Sequence, residues 1–572
     1  MLVPGGVAII AGLLAHQLVF IHGEWHLKGP RVVAFHLLFS CLFWVKQFFG
    51  RGNTQASLVR TIYLATCYLS SLFASIAVYR LMFHRLKHFP GPKLAAVTKL
   101  WHVWKCRDSR GHLVLQDWHE KYGEFVRTGK IHPNQVGFLD DIEIEYSGPA
   151  EITIFHPEAY EAMDGPDNDN TRSDWYDLLY PRISSIFTRD RQLHHDRRKM
   201  WEQALSRKGL VNLMARNTLE TDICSALLQY HRRVVEKVRT LQSLVASGKS
   251  RPVLINDLMY FFAFDSMGDF AFSEDFGMMS SKRWHSSIAM LRSALTLLGP
   301  FSPAIWIPRL GFAFIPSLWK VRHWFHMLEF CDQCMARRMK KTLPDRDIAS
   351  WFIEDHIKRG SDPTQARWLS GDTATLVVAG SDTTAPSLTL LFYFLARYPT
   401  HAEKIYEEIQ GVDRENPTTL ATLSHLTGTI NEAMRLLPAV LTFSSRVTPP
   451  QGLMIDGTFI PGNTKICAPR YTIGRLERAY VYPHEFIPER WYSQPELIKD
   501  KRAFAPFGVG RTSCVGRHLA LAQIRLVAAA LVFHYRIKFA PDENNGEAVE
   551  RDMKDQLTAQ PGACRLVFQS RV

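Results

Sequence analysis

Cysteine is scarce in this chain, nine residues scattered through 572, which argues against a secreted disulfide framework and suits a reducing compartment. Cys331 and Cys334 form a lone C-x-x-C; with no second pair and no nearby His, they read as helix packing rather than a zinc or redox site. Zinc-finger spacing, RNA-binding signatures and long basic tracts are all missing. The formal net charge of +13 therefore points to a membrane surface or a protein partner, and no nucleic acid is expected. No internal repeat or low-complexity tract occurs. No G-x-G-x-x-G stands in a strand-helix context, so the chain has no flavin or nicotinamide fingerprint of its own. What is present is 46% hydrophobic and 22% charged residues, the balance of a packed globular protein.

Three apolar stretches lie near the start, at 5–21, 32–49 and 61–83, to be measured against the roughly 20 residues that cross a bilayer. His16, Gln17 and His36 interrupt the first two, so the third is the best span and one to three transmembrane helices are expected. No Lys or Arg precedes the first stretch, which therefore lacks the basic region of a cleaved signal peptide. Arg80, Arg85 and Lys87 cluster at the far end of the third; the positive-inside rule puts that end, and the chain beyond it, in the cytosol. Three spans would leave the N-terminus on the lumenal side. Phe89-Pro90-Gly91-Pro92 then forms a rigid turn, so residues 1–88 are expected to anchor and 89–572 to form the main domain.

Past residue 90, apolar residues recur at three and four spacing with short β segments between, which predicts a mainly α fold with small β-sheets. The segment 453–460, centred on Asp456-Gly457, predicts a hairpin. Three motifs interrupt this pattern. Phe507-Gly508-Val509-Gly510-Arg511-Thr512-Ser513-Cys514-Val515-Gly516 is a glycine-rich turn placing Cys514 where loop becomes helix, so backbone amides can face its sulfur; a buried structural cysteine is the plainer alternative. Ala379-Gly380-Ser381-Asp382-Thr383-Thr384 puts small residues, an acid and hydroxyls inside an apolar helical run at 369–398, against helix propensity. The alternative there is a kink with Ser/Thr bonding back to carbonyls, helped by Pro386. Glu432 and Arg435 stand three apart on one helical face, commonly just a surface pair.

Taken together in this order, the motifs resemble those of the cytochrome P450 family, and the resemblance covers residue 89 to the end. It implies a haem-thiolate fold behind N-terminal transmembrane helices, with haem b as cofactor and Cys514 as the iron ligand. Phe507, Gly510, Arg511 and Gly516 belong to the implied haem-binding loop. The family commonly has Arg or His where this chain has Thr512. Thr383 is implied to hold dioxygen or its water, and Asp382 to relay protons. Glu432 and Arg435, with Arg490 from Phe486-Ile487-Pro488-Glu489-Arg490-Trp491, resemble the family's Glu-Arg-Arg triad, which locks the cysteine loop. His194 and Arg198 resemble its W-x-x-x-R helix with His replacing Trp, and Arg446 another propionate ligand; a solvated charged face is the competing reading for these.

By the same resemblance, substrate-facing segments fall at 167–190, 298–315, 377–380, 439–444 and 556–562. Trp175, Phe187, Leu441 and Phe443 are prominent among them, implying a hydrophobic small-molecule substrate. Electrons are expected from an NADPH-cytochrome P450 reductase-type flavoprotein docking on the basic helix and the Cys514 loop, with the anchor in the endoplasmic reticulum membrane. Phe261 to Asp269 and the multi-span start look most like fungal members serving secondary metabolism. Residues 130–147, ending in an acidic run, are an insertion atypical of the family, the form a retained intron would take. The implied reaction is hydroxylation or epoxidation. Haem-dependent rearrangement or dehydration, and a non-catalytic haem membrane protein, are the alternatives.

Overall fold

The computed structural model describes residues 2–22, 24–129, 150–166, 168–205, 220–248, 251–343, 346–360, 362–442 and 445–571. The predicted insertion at 130–147 lies outside the described residues, as do Asp167, Phe443 and Ser444 of the expected substrate segments.

The N-terminal region folds as three helices. Leu2–Leu14 continues through a π turn at Ala15–Phe20, Gly29–Arg51 follows, and Thr54–Val78 ends in a second π turn at Tyr79–Phe83. Gly52, at φ 66°, closes the second helix in the left-handed conformation, and the Asn53 side chain caps the third by accepting from the Ala56 amide at 3.0 Å. That Gly-Asn pair is the whole turn between two antiparallel helices. The first helix runs parallel to the third. A Cβ on Gly12 would sit 2.4 Å from the Tyr68 carbonyl, so the two backbones touch there, and His16 Nδ1 lies 2.7 Å from Ser75 Oγ.

Two of the three helices, at Gly29–Gly50 and Thr54–Phe83, are long and apolar enough to cross a membrane, and the first is shorter, Pro4–Phe20. Phe35, Leu37, Leu38, Phe39 and Leu42 point outward along the second helix, a face that water would not favour and hydrocarbon would. These helices are consistent with membrane anchoring.

The loop between the first two helices bends back onto the main body. Glu24 holds the Arg189 guanidinium with both carboxylate oxygens, and His26 Nε2 lies 2.8 Å from Asp177 Oδ2. A two-pronged Arg-carboxylate contact is the stronger kind of ion pair. Glu24→Gln should therefore free this loop, and trypsin should cut after Lys28 several-fold faster than in wild type. An unchanged digestion course would mean the contact contributes nothing to docking.

Leu86 is fully buried in one cluster with Ile152, Ile154 and Ile466. A five-stranded sheet runs in the order β1 (Phe125–Gly129), β2 (Ala150–Ile154), β8 (Thr464–Cys467), β5 (Ser445–Val447) and β3 (Thr171–Arg172). A second sheet joins β4 (Val253–Leu254), β12 (Arg565–Ser570) and β9 (Tyr535–Phe539). Two hairpins complete the set. One is β6 (Leu453–Ile455) with β7 (Thr458–Ile460), turning on Asp456 and Gly457 at φ 44° and 74°; the other is β10 (Lys554–Gln556) with β11 (Thr558–Gln560). The first of these is the predicted hairpin at 453–460.

The other regular elements among the described residues are helices, and the fold is mainly α with small sheets, as expected. The helix Ile255–Phe272 is apolar on almost every face and lies in the centre, buried nearly throughout, as a helix without a polar side must be. Against it pack Pro363–Ser381 and Thr384–Arg397, and the helix Arg517–His534 joins the same core. Cys331 and Cys334 are both buried and unoxidised on the helix Trp319–Met339, in keeping with the packing role read from sequence.

Candidate active site

The turn carrying Cys514 is held by its own backbone. The Cys514 amide donates to the Phe507 carbonyl at 2.7 Å, closing the loop just before Arg517–His534 begins. Gly508 and Gly510 have φ of 71° and 58°, where side chains are strained. A Cβ on Gly510 would also lie 1.9 Å from the Asp164 carbonyl oxygen. The thiol of Cys514 is accessible at the mouth of the helix. Burial among the surrounding walls pushes its pKa up, and the amides of Gly516 and Arg517 together with Arg198 pull it down; amides and cations facing a sulfur stabilise its anionic form. Phe507 flanks the turn, with the Arg517 guanidinium 5.8 Å from its ring.

Beside this loop the structure gathers an excess of positive charge. His194 is buried, its pKa lowered to about 3 by desolvation and by Arg172, Arg198, Arg446 and Arg511. Its helix, Arg191–Leu205, is oriented by Asp372, which accepts from Trp201 Nε1 at 3.0 Å and from Arg197. Arg446 forms a double contact with Asp164 at 2.7 and 2.8 Å and donates to Tyr176. It also donates to the Ser445 carbonyl at 2.7 Å and to Thr512 Oγ1 at 3.0 Å, so the position where the family commonly has Arg or His is here an acceptor for Arg446. Arg198 donates to the Ser513 carbonyl at 2.7 Å and to Glu202. Arg511 turns to the carbonyls of Asn168 and Asn170 at 2.9 and 2.6 Å.

Sequence reasoning missed Arg172. It pairs in register with Arg446 across β3 and β5 and gives its guanidinium to the carbonyls of Ser185 and Thr188. No local pattern marks it; strand pairing alone brings it here. Asp164, which balances Arg446, was missed because it reaches the cluster from the end of a distant helix, Ala159–Asp164. Five basic side chains thus face a region where Asp164 pairs with Arg446, Glu202 with Arg198, and Asp169 acts on Arg511. Neutral His194 and the surplus guanidinium charge suit a ligand with two carboxylates, and Cys514 suits a soft metal ligand. The residues present therefore fit haem.

The run at 369–398 is two helices rather than one. Pro363–Ser381 ends, Asp382 and Thr383 intervene, and Thr384–Arg397 begins. Thr383 Oγ1 donates to the Ala379 carbonyl at 2.8 Å and Thr384 Oγ1 to that of Gly380 at 3.2 Å. Such back-bonds compete with the helical ladder and widen it. A Cβ on Gly380 would collide with the Met267 methyl at 1.6 Å. Asp382 is fully buried with its carboxylate facing Arg292, Thr558 and Gln560. Its pKa is raised by burial, against the pull of Arg292 and of these hydrogen bonds.

Glu432, Arg435 and Arg490 meet in a second buried cluster. Glu432 Oε1 accepts from Arg435 Nη2 at 2.8 Å, from Arg490 Nε at 2.9 Å and from the Ile487 amide at 2.9 Å. Its other oxygen accepts from Arg435 Nε and Trp491 Nε1, both at 2.9 Å. The arginines spend their other donors on carbonyls of Gly474, Pro483 and Glu485, and of Val481, Tyr482 and Leu497. Trp491 packs on Phe504 with ring centroids 4.3 Å apart, which carries the cluster's rigidity toward the Cys514 loop.

The expected substrate walls contain a stacked pair, Trp175 and Phe187, with centroids 5.7 Å apart, and a fully buried Leu441. The Trp175 indole donates to Ser302 at 3.2 Å, joining segments 167–190 and 298–315.

Comparison with known proteins agrees with this geometry. The family model described as Cytochrome P450 matches residues 152–563. The chain is similar to a tryprostatin B 6-hydroxylase of Neosartorya fischeri, 33% identical over 549 residues, covering 94% of this chain and 92% of that protein. It is also similar to the cytochrome P450 monooxygenase sthD of Phaeosphaeria nodorum, 34% identical over 84% of this chain and 94% of its relative. Among solved structures, the crystal structure of the cytochrome P450DA heme domain superposes with a TM-score of 0.61 at 16% identity, over 81% of this chain and 94% of that one. That likeness speaks to the fold.

Proposed function

The chain belongs to the cytochrome P450 family, as a haem-thiolate monooxygenase acting on a hydrophobic small molecule in fungal secondary metabolism, and on that footing we propose how its residues divide the work. Cys514 is the iron ligand. His194, Arg172, Arg198 and Arg446 hold the propionates, and Thr383 and Asp382 deliver protons. The observation that carries this assignment is the convergence of an accessible thiol, at a helix start, with a cluster of under-compensated cations.

Haem bound through Cys514 supplies the reductive activation of dioxygen, with one atom passing to substrate and the other to water, a process consuming two electrons and two protons. The protein's part is positional. Amides of Gly516 and Arg517 aim at the sulfur and favour its anionic form. Thr383, back-bonded to Ala379, holds its hydroxyl at the helix break, where it can pass a proton or fix a water. Asp382, next to it, meets Arg292, whose side chain is a quarter exposed and offers a route toward solvent. Trp175, Phe187 and Leu441 exclude water and orient an apolar substrate. Arg511 supports the loop through the carbonyls of Asn168 and Asn170.

The electron donor we infer is an NADPH-cytochrome P450 reductase-type flavoprotein. Arg191, His195 and Lys199 on the basic helix, with Arg517 beside Cys514, are exposed and would steer an acidic partner, less so as salt rises. The anchor belongs in the endoplasmic reticulum membrane with the catalytic domain in the cytosol. Arg80 and Arg85 support that orientation, because they cling to carbonyls of Val97, Gly462 and Asn463 on the catalytic domain. The parallel first and third helices support a lumenal N-terminus.

Cys514→Ala tests the central assignment. The reduced, carbon-monoxide-bound spectrum should show the thiolate-type Soret band in wild type and lose it in the variant. Wild type purified without haem, or a variant keeping the band, would sink the proposal.

A further inference from the structure

Asp382 is held from two sides, by the β10–β11 hairpin and by Arg292. The hairpin β10–β11 pairs Lys554, Asp555 and Gln556 with Gln560, Ala559 and Thr558, leaving Leu557 alone as its tip. One face of this hairpin, carrying Thr558 and Gln560, looks at the break between Pro363–Ser381 and Thr384–Arg397. Thr558 Oγ1 donates to Asp382 Oδ2, and Gln560 Nε2 approaches the same oxygen at 3.5 Å while donating to Thr558 Oγ1 at 2.8 Å. Tyr260 donates to Gln560 Oε1 at 2.8 Å. The bonds run in one direction, from phenol to amide to hydroxyl to carboxylate, so each polarises the next. On the other side Arg292 reaches Asp382 Oδ1 at 3.3 Å, its guanidinium lying 3.8 Å from the Tyr260 ring centre.

Two further observations separate this from ordinary packing. Leu557 has φ 77°, which is costly for a branched side chain and persists where surrounding contacts overdetermine it; here Leu557 packs on the main core. The Ala559 backbone amide donates to the Ala439 carbonyl at 2.7 Å. Ala439 opens the 439–442 segment that includes the buried Leu441. The hairpin is therefore tied at once to a substrate wall and to the acid at the helix break.

We propose that the β10–β11 hairpin is a latch, with Thr558 and Gln560 acting as positioning residues that fix Asp382 and couple displacement of the substrate wall to the release of its carboxyl for proton delivery. This rests on the reading that Asp382 and Thr383 deliver protons. With the latch closed, Oδ2 accepts from Thr558 and Oδ1 from Arg292, so the hairpin and Arg292 together set the direction of the carboxyl. A substrate that shifts the Ala439 segment moves Ala559, and with it Thr558 one residue away on the same strand. The carboxyl then turns from Thr558 toward the Thr383 side of the helix break.

The test uses the full-length, haem-loaded protein in lipid nanodiscs, with two readouts. One is amide hydrogen exchange over 376–384 and 554–560 by mass spectrometry. The other is peroxide formed per NADPH consumed with a purified reductase and no added substrate. Thr558→Val removes the donor at nearly constant shape and should speed exchange in both segments about tenfold and change the peroxide fraction. Thr558→Ser keeps the donor and should return both toward wild type; Gln560→Leu should act in the same direction as Thr558→Val. Wild-type exchange and peroxide fraction in Thr558→Val and Gln560→Leu, alongside an altered Asp382→Asn, would overturn the latch and leave the proton-delivery reading standing. An unchanged peroxide fraction in both Asp382→Asn and Thr383→Ala would overturn the proton-delivery reading, while the exchange measurement still decides whether the hairpin holds the acid.

Discussion

Glu432→Ala should give a chain that accumulates without haem and unfolds at far lower denaturant than wild type. The carboxylate accepts five hydrogen bonds, from Arg435 twice and from Arg490, Trp491 and the Ile487 amide, and all three charged side chains are fully buried. Removing one partner from a buried ionic cluster costs about 3–5 kcal/mol, because the remaining charges stay desolvated with nothing opposite them. A whole domain is stable by only about 5–15 kcal/mol. Two guanidiniums would be stranded here, 2.9 Å or less from where their counterion stood. The damage should travel, since Trp491 rests on Phe504 and Arg470 Nε donates to the Ala505 carbonyl at 3.1 Å, two residues before Phe507. The measurement is haem absorbance per mole of protein, followed by urea unfolding of whatever soluble fraction forms. A variant with full haem content and a wild-type midpoint would show that the cluster is incidental.

The same cluster shows what a sequence reveals and what it hides. Glu432 and Arg435 lie one helical turn apart, so their meeting follows from local geometry, and the hairpin at Asp456-Gly457 follows from two residues that accept positive φ. The Cys514 turn is equally local, its glycines and cysteine being consecutive in the chain. The break at Asp382–Thr383 is half legible: the unfavourable helix residues announce it, but the back-bonds to Ala379 and Gly380 and the clash of a Gly380 Cβ with Met267 require the fold. Contacts between distant segments carry no local trace. Arg172 and Asp164 enter the cationic cluster only because β3 pairs with β5 and because Asp164 ends a helix against them. Thr512 looked like a loss beside Arg511 and proves to be an acceptor for Arg446, 66 residues away. The docking of Glu24 on Arg189 and the hold of Thr558 on Asp382 are long-range in the same sense.

Gly510→Ala should abolish haem binding, whereas Gly508→Ala should only weaken it. Both glycines have positive φ, at 58° and 71°, and placing any L side chain there costs about 1–2 kcal/mol. What separates them is what the new methyl would meet. At Gly508 the nearest atom is Ser513 Cα at 3.6 Å, ordinary contact; at Gly510 it is the Asp164 carbonyl oxygen at 1.9 Å. Backbone cannot step aside as a side chain can, so either the cysteine loop lifts or the end of Ala159–Asp164 retreats. If the helix end retreats, Asp164 loses its double contact with Arg446, and with it the balance of the cationic cluster. If the loop lifts, Cys514 leaves the mouth of Arg517–His534 and loses the amides that face its sulfur. Either route removes a feature the haem needs, at a further cost of about 1–3 kcal/mol for overpacking. Titrating each purified variant with haem and recording the reduced, carbon-monoxide-bound spectrum separates the two cases. Equal thiolate-type bands in Gly508→Ala and Gly510→Ala would mean that the contact with Asp164 does not set the loop, and that positive φ alone explains both glycines.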